Sequence, residues 1–446
     1  MNTLRWCIFC RVIDNYGDAG VCLRLAQELC ARGQRVELWI DRPEILEWMA
    51  PNKSRLIEVI HWRGDNLELQ RGIAGDKFAD VVIEAFGCEI PSFYQTTIAS
   101  GAKAGKQLTQ WINLEYLSAE DYAEQNHKLL SPVLSGPGEG AHKWFFYPGF
   151  TPRSGGLILE ERVRSQILQD TPVTAISKPT SNHLQSSSAS ASASASASAS
   201  ASASARANAN PFSKARANTV PNSTLTSNSV RNLAHTPAVN IGLFCYPDAP
   251  LDALIQGLQA NSAQDGCEYT LHIAQGDTQG IVKAVTKDLI NSKYSKGVDK
   301  YGKVTEHNNG GVTISNLSYL TQTQFDEMLW NNDLNFVRGE DSLIRAIWVG
   351  KPWIWQIYKQ NDEAHIPKLN ALLTALECPT FIKEIHWGWN ACEGYTFTLA
   401  HLKDEEKWSN WHTWCLKIRS KLIEQADLVT QLMLFVDEKR QKTVES

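Results

Sequence analysis

Two carboxylates, Asp14 and Asp18, stand close together in the stretch WCIFCRVIDNYGDAGVCLRLAQEL, residues 6–29. The apolar run from Trp6 to Ile13 reads as a buried strand. Val21, Leu23, Leu25, Ala26 and Leu29 then open a helical pattern. A pair of acids in the turn between them has three possible chemistries. Asp18 lies where a helix N-cap belongs, and aspartate is a common cap. The two could ligate a metal, although this segment supplies few oxygen ligands for one. They could also act as the acid–base apparatus of an active site. One cap does not require two acids. The turn holds only Gly17 and Gly20, so it is no GxGxxG dinucleotide fingerprint. Paired carboxylates repel a diphosphate and suit a cationic substrate or a proton to be removed.

A second set lies in LNFVRGEDSLIRAIWVGKP, residues 334–352. Arg338, Gly339, Glu340, Asp341 and Ser342 form the expected turn from a strand into a helix that starts at Ser342. Free backbone N–H groups at a helix start bind anions, and Arg338 can grip a phosphate with two donors. The Glu340 and Asp341 side chains would repel phosphate. They could instead accept hydrogen bonds from ribose or sugar hydroxyls. A plain capping turn is the competing explanation. The third set is aromatic: Phe244 and Tyr246 end one expected strand, and Gln322 and Phe325 open an expected helix. Aromatic faces with one amide make a slot for a nucleobase, while aromatics alone are equally the stuff of cores.

These residues need elements to position them. Strands are expected over 6–13, 35–40, 56–62, 80–86 and 110–114, then over 238–246, 269–274, 311–317, 334–339 and 352–358. Helices are expected near 251–260, 323–330 and 342–349, with a long helical stretch at 404–438. The strands are unbroken apolar runs rather than alternating ones, the mark of parallel sheets covered on both faces. The rhythm is βαβ, twice, without sequence repetition. This predicts an α/β protein of two Rossmann-like, doubly wound domains facing a central cleft, with ligands beyond the carboxyl ends of the strands. The expected limits are 1–168 for the first domain, 237–420 for the second, and 421–446 for a C-terminal helix packing back on the first. Residues 169–236 are mostly Ser, Ala, Asn, Thr and Pro, nearly alternating Ser-Ala from 188 to 205. Such a tract buries too little surface to offset its ordering entropy, so a disordered insertion is expected there.

The 446 residues are 43% hydrophobic and 20% charged, enough to fill real cores. A net charge of −5 argues against a nucleic-acid binder carried by overall charge. There is no apolar run of about 18 residues and no secretory leader, so no membrane association and a cytoplasmic location are expected. Ten scattered cysteines fit buried thiols in a reducing compartment. Cys7 and Cys10 form a CxxC, but inside a strand, where their side chains face opposite ways. No second CxxC or His pair completes a zinc site.

The stretches FCRVIDNYGDAGVCLRLAQEL (9–29), WINLEYLSAED (111–121), YPGFTPRSGGLI (147–158), LFCYP (243–247) and MLWNNDLNFVRGEDSLIRAIWVGKPWIWQIYKQ (328–360) closely resemble the EarP family, bacterial protein-arginine rhamnosyltransferases that modify elongation factor P. The resemblance runs through nearly the whole chain apart from 169–236. It implies the GT-B fold and an inverting transfer of L-rhamnose from dTDP-β-L-rhamnose to an arginine guanidinium, with no catalytic metal or cofactor. It also implies that Asp18 is the general base and that Asp14 matters for activity. Glu340, Asp341 and Ser342 would hold the donor diphosphate and sugar, and Phe244, Tyr246, Gln322 and Phe325 would surround the thymine. The bottom-up chemistry agrees: guanidinium is a poor nucleophile of very high pKa, and a carboxylate must bind it and take its proton. The insertion and the stretch 291–311 look longer than is usual in the family. Two rivals remain at this level: a GT-B transferase with another acceptor or nucleotide sugar, and a non-catalytic nucleotide-sugar-binding protein.

Overall fold

The computed structural model describes residues 3–13, 16–63, 78–104, 108–170, 238–276, 278–282, 295–298, 304–308, 311–360 and 363–445. Asp14 and residues 171–236 of the expected insertion lie outside these residues.

The first half of the chain builds a seven-stranded sheet from β1 (Arg5–Cys10), β2 (Arg35–Ile40), β3 (Ile57–His61), β4 (Val81–Ala85), β5 (Gln110–Leu114), β6 (Leu130–Pro132) and β7 (His142–Phe146). Their order is β3-β2-β1-β4-β5-β7-β6, parallel except for the antiparallel edge strand β6. The second half builds another from β8 (Ala238–Leu243), β9 (Glu268–Ile273), β10 (Ser295–Val298), β11 (Val304–Asn308), β12 (Val312–Asn316), β13 (Leu334–Arg338) and β14 (Trp353–Gln356). Its order is β10-β11-β12-β9-β8-β13-β14, with β10 and β11 added antiparallel at one edge. Both sheets belong to one compact unit, Met1–Asp170 with Thr236–Ser446.

The unbroken apolar runs behave as their chemistry requires. In β1, Trp6, Ile8 and Cys10 enter one core with Leu23, Leu25 and Leu29, while Cys7 and Phe9 enter another with Trp39, Tyr94 and Trp111. Strands sealed on both faces leave only their ends available for chemistry. The strand order reverses between β1 and β4 in one sheet and between β8 and β13 in the other. The helix α1 (Gly17–Ala31) follows β1, and the segment Phe244–Tyr246 follows β8. Each switch point therefore aims its loops at a crevice.

Several strands stop earlier than expected, because side chains capture the backbone. Val12 N–H donates to Asp41 Oδ1 at 3.0 Å and Ile13 N–H to Asp18 Oδ2 at 2.8 Å, so β1 ends at Cys10. Tyr246 N–H donates to Gln356 Oε1 at 2.7 Å beyond the end of β8. Strands β6, β7, β10 and β11 were not expected at all. The stretch expected as one long helix over 404–438 is two. Helix Glu405–Ile423 puts Trp411, Trp414 and Ile418 into the core of the second half. Helix Leu428–Glu445 puts Leu428, Leu432, Phe435 and Val436 into the core of the first. At the break, Asp427 accepts from Thr430 N–H at 3.0 Å and from Arg32 at 2.8 Å.

The ten cysteines are all free and buried. Burial pushes the Cys7 thiol well up from its ordinary value, and Cys10, hydrogen-bonded to Cys22, is pushed well up too. A reactive CxxC needs a lowered thiol pKa.

Candidate active site

Asp18 is not the helix cap. Helix α1 begins at Gly17, with Tyr16 ahead of it, so Asp18 sits inside the first turn and its carboxylate reaches back to Ile13 N–H. It is 3% exposed. A carboxylate in that turn is favoured by the helix dipole. Gly17 and Gly20, on either side of it, line a cleft between the two sheets.

The opposite wall comes from the second half. The helix after β13 starts at Gly339, three residues before the expected Ser342, and runs to Val349 (α2 here). Gly339 carries φ +64°, which lets the chain turn from strand into helix in a single residue. Glu340 and Asp341 therefore lie in the first helical turn rather than in a loop. Ser342 Oγ accepts from Arg338 N–H at 3.1 Å and donates to the Arg338 carbonyl, so the hydroxyl braces the strand-to-helix junction. Phe244, Tyr246, Gln322, Phe325, Arg338, Glu340, Asp341 and Ser342 all line this one cleft. It holds about 810 Å³ of non-protein space, open solvent at the mouth included.

Its aromatic end is ordered. Phe244 meets Phe325 edge-to-face at 5.5 Å. The Arg338 guanidinium packs over the rings of Phe244 and Tyr246, at 4.5 and 4.6 Å, and donates to the Cys245 carbonyl at 3.2 Å. Among the described residues Arg338 thus faces two rings and one carbonyl. Gln322 opens the helix Gln322–Asn331 (α3 here), whose start is fixed by a reciprocal Thr321–Gln324 capping box. Its Nε2 donates to the Gly20 carbonyl at 2.9 Å, while its buried Oε1 has no hydrogen-bond partner among the described residues.

The acids differ in their surroundings. Glu340 accepts from Leu117 N–H at 2.8 Å and from Lys368 at 3.0 Å. Burial pushes its carboxyl up; Lys368 offsets part of this, and the charge of Asp18 adds to the rise. Asp341 accepts from Arg24 Nε at 2.8 Å, yet burial still leaves its carboxyl raised. Behind it lies a buried ionic cluster. Asp326 receives two bonds from Arg24, at 3.3 and 3.0 Å, two from Arg345, at 3.0 and 2.9 Å, and one from Arg162 at 2.8 Å. Glu160 receives Arg24 at 2.9 Å and also Arg345. Burial pushes Glu160 up, but the two guanidiniums outweigh it and hold its carboxyl at about 2.

Sequence reasoning missed Arg24, Glu160, Asp326, Arg345 and Lys368. It also missed Tyr16, Trp48 and Tyr319, which form an aromatic lip bridging the two halves. Trp48 meets Tyr16 at 5.1 Å and Tyr319 at 4.9 Å. No group of three or more His, Cys, Asp or Glu among the described residues is arranged to hold a metal ion. None of the described helices is long and apolar enough to cross a membrane.

Two doubly wound sheets meeting at a cleft over both switch points, lined by an aromatic–amide slot, a helix start and the helix turn that carries buried Asp18, define a glycosyltransferase of the GT-B fold. A solved structure concerned with EarP-mediated arginine glycosylation of translation elongation factor EF-P has that fold. It matches with a TM-score of 0.50 at 20% identity, over 98% of this chain and 99% of that one. The family model described as elongation factor P (EF-P) rhamnosyltransferase EarP matches residues 6–437. A protein-arginine rhamnosyltransferase of Pseudomonas putida is 32% identical over 84% of this chain and 81% of its own length. One of Shewanella oneidensis is 29% identical over 98% of each. The chain belongs to the EarP family and is a protein-arginine rhamnosyltransferase.

Proposed function

We propose that this enzyme is an inverting transferase that moves L-rhamnose from dTDP-β-L-rhamnose to an arginine guanidinium nitrogen of translation elongation factor P, in the cytoplasm, without a metal or other cofactor. One observation carries this reading. Buried Asp18 lies in the helix turn that lines the same cleft as an aromatic–amide slot and a helix N-terminus. The donor and acceptor chemistry are further supported by the family description, which names EF-P as the protein rhamnosylated.

Each residue then has a task. Phe244, Tyr246 and Phe325 give apolar faces to the thymine. Gln322 Oε1, without a partner among the described residues, accepts a base N–H. The N–H groups at the start of helix α2, with Arg338, stabilise the charge that develops on departing dTDP. Glu340 and Asp341 accept hydrogen bonds from donor hydroxyls. Asp18, assisted by Asp14, binds the acceptor guanidinium, orients it and takes its proton. A nitrogen lone pair attacks the anomeric carbon from the face opposite the diphosphate. The new C–N bond forms as the C–O bond breaks, the electron pair leaves with dTDP, and the configuration inverts.

The test is intact-mass spectrometry of elongation factor P incubated with this protein and dTDP-rhamnose. A gain of one deoxyhexose on one arginine is expected, together with release of dTDP and no effect of added EDTA. No gain at saturating donor overturns the donor or acceptor assignment. Loss of turnover on chelation overturns the metal-free reading.

A further inference from the structure

We infer that Arg24 is a positioning residue: it docks the helix bearing the candidate base against the donor side and fixes the orientation of Asp341. This rests on the function proposed above. Arg24 is 3% exposed and lies on α1, six residues beyond Asp18. Its partners Asp341 and Asp326 lie on α2 and α3 of the other half, and Glu160 on the connection from the first half. The cluster of Arg24, Arg162, Arg345, Glu160, Asp326 and Asp341 is balanced, three charges of each sign. Arg24 alone among them belongs to α1.

A buried ion cluster is a weak source of stability, since desolvation consumes most of what pairing returns. What it supplies is register. Arg24 and Gly20 are four residues apart and share one face of α1. Both meet the donor side, Gly20 through its carbonyl to Gln322 and Arg24 through Asp341 and Asp326. These ties fix α1 along and about its own axis, and with it the distance from Asp18 to the anomeric carbon. They also orient Asp341. Oδ1 is held by Arg24, while Oδ2 lies 3.4 Å from where a Cβ on Gly20 would stand, on the cleft wall. Without Arg24, Asp341 loses its guanidinium and α1 its register, while the thymine slot is untouched. A reacting pair displaced by about 1 Å loses up to roughly a hundredfold in rate. A donor left beside a misplaced base is open to attack by water.

The experiment compares Arg24→Met and Arg24→Lys with wild type and with Arg162→Met. Arg162 pairs with the same Asp326 but is half exposed, and no hydrogen bond or ion pair among the described residues ties it to α1. If Arg24→Met does not fold, Arg24→Lys, which keeps the charge but cannot bridge three carboxylates, carries the test. In the Arg24 variants kcat falls by about 10- to 100-fold. One dTDP still binds per chain with unchanged affinity, and the ratio of dTDP released to sugar transferred rises. Amide hydrogen exchange rises in residues 17–26. Arg162→Met changes none of these. A fall in kcat matched by an equal loss of dTDP-binding sites overturns the inference, as does an unchanged product ratio or unchanged exchange. If wild type itself transfers no sugar, the proposed function falls; the exchange measurement still decides whether Arg24 docks α1.

Discussion

Gln322 Nε2 donates to the Gly20 carbonyl at 2.9 Å, across the cleft between the two halves. The same amide has its oxygen buried and without a partner among the described residues. One end of this side chain is thus spent on architecture and the other is free for a ligand. An orphaned buried acceptor costs free energy unless something donates to it. In Gln322→Met both ends vanish. The fold loses one hydrogen bond, worth about 1 kcal/mol. The affinity for dTDP falls by about tenfold, the equivalent of about 1.4 kcal/mol. Calorimetric titration with dTDP checks this; unchanged affinity removes Gln322 from the nucleotide site.

Asp18→Asn is nearly isosteric and keeps an oxygen for Ile13 N–H, which the carboxylate holds at 2.8 Å. It cannot take a proton. Turnover on elongation factor P is expected to fall by about 10²-fold or more. Melting temperature and dTDP affinity stay as in wild type. Steady-state kinetics beside a thermal melt make the comparison, and near-normal turnover would remove Asp18 as the base.

The legible and illegible parts of the site differ in kind. Asp18, Arg338 and the Gly339–Ser342 segment could be read because they sit at strand ends, where an apolar run breaks into a polar turn. The doubly wound sheets could be read for the same reason. Arg24 could not. It stands in a helix whose neighbours are nearly all apolar, and its partners lie 302 and 317 positions away. Nothing local marks a guanidinium that meets distant carboxylates. The break between the last two helices was missed as well, although Asp427, which accepts from Thr430 N–H, is a local cap of a kind that sequence can show. Strand β6 is three residues long, too short for any period to show.

Glu160 makes the ionic cluster sensitive to acid. Its carboxyl is held at about 2, below the 4.5 of an unperturbed glutamate. A group depressed in the folded state adds stability that is present above its unfolded pKa and is lost as pH falls through its folded one. Here that window runs from about pH 4.5 down to about 2. The shift corresponds to roughly 3 kcal/mol at most. Asp341 and Glu340, raised by burial, act in the opposite sense and protonate sooner. The clean observable is therefore a difference. Glu160→Gln is less stable than wild type at neutral pH, because Arg24 and Arg345 lose a counter-charge. The gap narrows as the pH is lowered through this window. Denaturant melts at several pH values measure it, and a gap independent of pH contradicts the assignment.

The last prediction concerns the tract 169–236, most of which lies outside the described residues. It joins the helix that ends at Asp170 to β8, which starts at Ala238. Its charged and aromatic residues are scattered singly, with no charge block, aromatic repeat or binding motif. Both sheets and every described member of the site are built from sequence outside it. Replacing about 60 of these residues with a Gly/Ser linker of about 12 leaves a reach of roughly 20 Å r.m.s.. Loop-closure entropy changes slowly with length, so stability should rise by only about 1–2 kcal/mol. Turnover on elongation factor P is expected to stay close to wild type, and dTDP affinity to be unchanged. Intact-mass assays on the shortened protein decide the matter. A collapse of turnover with dTDP binding intact would mean that the Ser-Ala tract helps to hold the acceptor or sets the spacing of the halves, and that it is more than a tether.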